Sequence, residues 1–121
     1  MSTRSLIGYQ AETDKILGAY CHYDGYPEHV GKILQQHHKS YDNMLSLLKR
    51  GQIRNFDYDG QYACFGDDDE DCSAEQYASV EEALNGCFDY VYLFDEFNQE
   101  WACFTKERIP FPIIKEVNIP Q

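Results

Sequence analysis

Apolar and polar positions alternate with a period of two at the start of the chain. Residues 3–10 (Thr-Arg-Ser-Leu-Ile-Gly-Tyr-Gln) and 16–23 (Ile-Leu-Gly-Ala-Tyr-Cys-His-Tyr) therefore read as strands. Ile7 and Tyr9 fall on one face, and Arg4, Leu6 and Gln10 on the other. The polar stretch 11–15 between the two strands has the length of a hairpin loop, which predicts antiparallel pairing. Asp24-Gly25 then turns the chain, and Pro27 suits the first turn of a helix. From Val30 the period changes: Val30, Ile33, Leu34 and His37 recur at helical spacing.

A second helix is expected to start from Ser40 or Asp42. Tyr41, Met44, Leu45, Leu47 and Leu48 are its apolar residues, and Lys49, Arg50 and Gly51 close it. Gln61–Phe65 reads as a short strand, and Ser79-Val-Glu-Glu82 as a capping box opening a brief helix. In Phe88–Phe94, alternation places Phe88, Tyr90, Tyr92 and Phe94 on one face and Val91 and Leu93 on the other. A turn at residues 95–98 returns the chain as a partner strand, Glu100–Thr105. Pro110, Pro112 and Pro120 keep the tail out of helices, so residues 106–121 are expected as an extended C-terminal arm. The order predicts a single α+β domain over 1–121, an antiparallel sheet with two or three helices packed on one face.

Length and composition agree with one domain. The chain has 121 residues, 43% hydrophobic and 15% aromatic, enough apolar surface to exclude wholesale disorder. No apolar run is long enough to span a bilayer, and residues 1–5 lack the apolar stretch of a secretory leader. A cytoplasmic protein without membrane contact is expected. The five cysteines (Cys21, Cys64, Cys72, Cys87 and Cys103) form no C-x-x-C pair, and an odd count fits free thiols in a reducing compartment. Cys21, Cys64, Cys87 and Cys103 sit among apolar neighbours and are expected in the core.

Charge divides the chain. The formal net charge is −11, made of +2 over residues 1–54 and −13 over residues 55–121. Such a surface repels phosphates, so direct nucleic-acid binding is not expected. Asp67, Asp68, Asp69, Glu70 and Asp71 form the densest run, flanked by Tyr62 and Tyr77. Adjacent carboxylates need compensation by water and salt or by a basic partner, and tyrosines beside them suit an interface. The spacing is not that of an EF-hand loop.

The other polar concentration is Tyr20–His29. There His22, Asp24, Tyr26 and His29 are candidate ligand-binding residues at a strand-to-helix turn. A structural turn is the favoured explanation of them: Asp24 bonding to backbone amides and a hydrogen-bonded His22. The spacing offers no fourth metal ligand, so no metal or other cofactor is assigned, and no catalytic residue. His37 and His38 are expected to meet carbonyls at a helix end.

The segments Thr3–Gly8, Tyr20–Pro27 with Gly31, and Asp89–Asp95 followed by Trp101 resemble a group of small uncharacterised proteins encoded by tailed bacteriophages and prophages. The resemblance implies a phage accessory protein in the host cytoplasm and carries over no site residue. Combined with the charge, it leads to the expectation of a non-enzymatic inhibitor or decoy that binds a basic host protein, a nucleic-acid-handling or defence factor. The alternatives are a small-molecule or nucleotide-binding protein, sequestering or hydrolytic, using the His22–His29 turn, and a virion or assembly component. Homo-oligomerisation is a further expectation, because the aromatic hairpin at 88–105 could offer a free edge.

Overall fold

Strand alternation sorts the central side chains onto two faces of one mixed sheet. In the computed structural model, which describes residues 3–10, 15–50, 53–57, 59–64, 75–85, 88–95, 98–107 and 113–119, the elements follow in chain order. They are β1 (Ser5–Gln10), β2 (Ile16–Cys21), a π-helical turn (Pro27–Gly31) that runs into α1 (Lys32–His37), α2 (Tyr41–Arg50), β3 (Ile53–Phe56), β4 (Tyr62–Cys64), β5 (Glu75–Tyr77), α3 (Val80–Asn85), β6 (Tyr90–Asp95), β7 (Glu100–Glu107) and β8 (Ile113–Val117). The strands lie in the order β4-β3-β2-β1-β6-β7-β8, with β5 also on β2.

The α+β class expected from the sequence is the one observed, but two of its details differ. The sheet is mixed: β1 runs parallel to β6, with Ser5 beside Tyr90, and β2 parallel to β3, with Cys21 beside Ile53. Parallel neighbours need a crossover connection, and here α1 with α2 carries the chain from β2 to β3, while α3 carries it from β5 to β6. The helices also do not share one face. Ile7, Tyr92, Phe94 and Trp101 bury against Val30, Ile33, Leu34, Met44 and Leu47 of α1, α2 and the π turn. Leu6, Ile16, Val91 and Leu93 bury against Ala83 and Leu84 of α3 on the opposite face. A strand whose alternate residues are both apolar must be covered twice.

Local signals hold where contacts are local. Ser40 Oγ accepts the Asn43 N–H, capping α2, and Ser79 Oγ accepts the Glu82 N–H at the start of α3. Glu82 in return accepts from the Ala78 N–H. Phe88 departs from its expected face: it precedes β6, so strand alternation does not reach it, and it packs in the α3-side core. Lys106 and Glu107 belong to β7, and the extended chain beyond forms β8, antiparallel on β7. The aromatic hairpin therefore has no free edge, being flanked by β1 and β8.

Gly8 and Gly18 face each other across β1 and β2. A Cβ on Gly8 would lie 1.9 Å from the Leu17 carbonyl oxygen, so the approach of the two backbones requires glycine. Cys21 and Cys103 are buried free thiols, as expected for core cysteines. The side chains of Cys64, Cys72 and Cys87 lie outside the described residues. Among the described residues, no helix is long and apolar enough to cross a membrane.

Candidate functional site

The turn between β2 and α1 is built by backbone bonds. Asp24 adopts a positive φ of 54°, which reverses the chain so that the Gly25 N–H reaches the Thr3 carbonyl at 2.8 Å. Tyr92, fully buried on β6, donates its hydroxyl proton to the Gly25 carbonyl at 2.7 Å. Burial drives the Tyr92 phenol far above its ordinary value, so it stays a donor at any physiological pH.

Of the four candidate ligand residues of this turn, the two histidines are bonded within the fold, whereas among the described residues the Asp24 side chain makes none of the expected bonds to backbone amides. His22 Nδ1 shares a 2.6 Å hydrogen bond with the Tyr20 hydroxyl, and its ring stands edge-on to Tyr23. Tyr20 itself packs against the α3-side core. His29 is buried, and its Nε2–H donates to the Phe56 carbonyl of β3 at 3.0 Å. Asp24 and Tyr26 are exposed, the Tyr26 ring 6.2 Å from that of His29. The two imidazoles thus serve different parts of the fold. Among the described residues no three His, Cys, Asp or Glu side chains are grouped to hold a metal ion.

A histidine that the sequence placed only at a helix end proves central. His38, 9% exposed, donates from Nε2 to the Gly60 carbonyl at 2.9 Å, across the β3–β4 turn. Its ring is walled by Phe56 and Tyr62, with centroids 5.9 and 6.0 Å away. Desolvation by this wall lowers the imidazole below its ordinary value; the Gly60 bond works against the shift, and the neighbouring His37 adds to it. The only available signal was the His-His pair itself, since the partner carbonyl comes from another element.

The acidic run Asp67–Asp71 lies outside the described residues. Its flanking tyrosines belong to opposite cores: Tyr62 packs with Phe56, and Tyr77 edge-on to Phe88. The described carboxylates of the second half, namely Asp57, Asp59, Glu81, Glu82, Asp89, Asp95, Glu100, Glu107 and Glu116, are all exposed. They do not share one face. Asp57 and Asp59 follow β3 past the Ser5 end of the sheet, whereas Asp95 and Glu100 pair at the opposite end. Glu81 and Glu82 stand on α3, after β5.

On either side of the acidic run, Cys64 lies in register with Ile53, itself beside Cys21, and Glu75 lies beside Gly18. From the spacing of strands and residues, Cys64 and Glu75 lie roughly 11 Å apart. No family model, no curated protein and no solved structure matches this chain.

Proposed function

We propose that this chain is a non-enzymatic phage accessory protein of the host cytoplasm that inhibits a basic host protein by binding it through the acidic segment Asp67–Asp71. The observation that carries this reading is the run of charge itself. Residues 66–82 hold eight carboxylates (Asp67, Asp68, Asp69, Glu70, Asp71, Glu75, Glu81 and Glu82) and no lysine or arginine. Opposite charge on a partner steers encounter and speeds association, with a strong dependence on salt. Tyr62 and Tyr77, each half-buried beside the run, are the tyrosines that contact the partner in this reading.

The small-molecule alternative at His22, Asp24, Tyr26 and His29 has less support, because both imidazoles are already bonded within the fold. A thermal-shift screen with nucleotides and divalent metals separates the two readings, since a tight ligand raises the melting temperature. The docking reading is tested by capture from host lysate with the wild-type chain and with a variant carrying Asp→Asn at 67, 68, 69 and 71. Basic proteins retained by the wild type at about 0.05 M salt, released at about 0.5 M and missing from the variant support it. Identical capture by both baits overturns it.

A further inference from the structure

We propose that the β3–β4 hairpin is a pH-operated latch, held at both ends of its turn by His29 and His38 and released when His38 gains a proton. The backbone ladder that ties the hairpin to the rest of the sheet is short, while Ile53 and Phe56 hold it through the core. Its ladder to β2 is the single pair Cys21–Ile53, followed by backbone bonds from the His22 N–H to Ile53 and the Tyr23 N–H to Arg54, each 3.0 Å. Two imidazoles add polar ties from the helical side. His29 bonds the Phe56 carbonyl where β3 ends, and His38 bonds the Gly60 carbonyl just before β4. Gly60 has a φ of 89° and sits so close on the helix end that a Cβ there would lie 2.6 Å from the His37 Cβ.

A neutral His38 satisfies this arrangement, because its one N–H meets the Gly60 carbonyl. A second proton puts a charge on a ring that Phe56 and Tyr62 wall off from part of the water that would solvate it. The charged and titratable groups around the site do not offset that cost. From its own segment come His37 and Lys39; from the π turn, His29; from the hairpin, Asp57, Asp59 and Tyr62. Trp101 of β7 approaches only the backbone carbonyl of His38. Both aspartates are exposed, and no described carboxylate pairs with the His38 ring.

Opening the hairpin returns His38 to water, where it takes a proton more readily than in the closed state. The closed form therefore keeps its full advantage above about pH 6.5 and loses it as the pH falls from there toward the lower value of the buried ring. Opening frees the whole of β4, Tyr62–Cys64, together with the turn.

Amide hydrogen exchange by NMR tests the latch. The hairpin reporters are the Asp57 N–H, bonded to the Gln61 carbonyl, and the Gly60 N–H, bonded to the Asp57 carbonyl. The reference is the β1–β6 ladder. Between about pH 7.5 and about pH 5.5, protection of the hairpin amides, corrected for intrinsic rate, is expected to fall at least ~3-fold further than that of the ladder. His38→Gln, whose amide still donates to Gly60, is expected to abolish the difference. Hairpin and ladder losing protection in parallel, or a His38→Gln chain that keeps the difference, overturns the proposal. Should that variant not fold, the wild-type His38 ring resonance decides: a midpoint below about 6.5 supports the latch and one at or above it refutes it.

Discussion

The indole N–H of Trp101 donates to the backbone carbonyl of His38 at 2.9 Å, so the only tryptophan of the chain is wired to the residue that holds the β3–β4 turn. One side of His38 thus faces β7 through its carbonyl, and the other faces Gly60 through its ring. The end of α1 is clamped between the two strand systems. Trp101→Phe leaves the His38 carbonyl buried without its donor, and is expected to lower stability by about 1–3 kcal/mol. Urea unfolding followed by circular dichroism checks this, since the variant lacks the fluorescent reporter.

Gly8→Ala is expected to be among the most damaging small substitutions in the protein. The added methyl would meet the Leu17 carbonyl oxygen at 1.9 Å and the Gly18 Cα at 2.6 Å, and neither can move without prying β1 from β2. A loss of about 3 kcal/mol or more, or failure to accumulate as folded protein, is the expected outcome. At Gly31 the nearest atoms are side-chain carbons of Ile119 and Tyr92, at 3.0 and 3.2 Å. Gly31→Ala should cost only about 1 kcal/mol in the same denaturation assay.

Local chemistry was readable from the chain, and long-range pairing was not. Ser40 and Ser79 cap where a helix start was expected, and the Val91/Leu93 and Tyr92/Phe94 alternation separates the two cores. Those signals depend on residues a few positions apart. The parallel register of Ser5 with Tyr90 depends on the path of the whole intervening chain, for which no short pattern codes. β3 (Ile-Arg-Asn-Phe) and β5 (Glu-Gln-Tyr) are too short and too polar to stand out from loops, and both owe their strand conformation to the waiting edge of β2. In the candidate turn the hydrogen-bonded His22 was legible, but Asp24 turns the chain through its backbone rather than its side chain, and His38 was hidden because Gly60 reaches it from a separate hairpin.

Tyr92→Phe removes a buried hydroxyl with almost no change in volume. Losing the hydroxyl leaves the Gly25 carbonyl without its 2.7 Å donor. A loss of about 1–2 kcal/mol is expected, read as a lower urea midpoint with an unchanged slope. Hydrogen exchange at the Gly25 amide, bonded to Thr3, should quicken in the same variant.

Cys103 supplies an alkaline dependence. Burial is the main cause of its rise from 9.0 to about 12; the Tyr92 hydroxyl works in the opposite direction, and Glu28 and Glu116 add to the rise. An unfolded thiol ionises first, so this contribution to stability is intact below about pH 9 and is lost as the pH rises toward about 12. Cys103→Ala should flatten that part of the stability profile. In the native protein at about pH 8, iodoacetamide should modify Cys103 at least ~100-fold more slowly than in urea, read by peptide mass mapping.

The salt dependence of affinity for the captured basic partner tests the central claim most directly, measured by biolayer interferometry with the wild type and the Asp→Asn variant at 67, 68, 69 and 71. The expected result is a wild-type affinity that falls steeply from low to high salt, and a variant at least ~10-fold weaker with a shallower salt slope. Equal affinities and equal slopes for the two chains would contradict it.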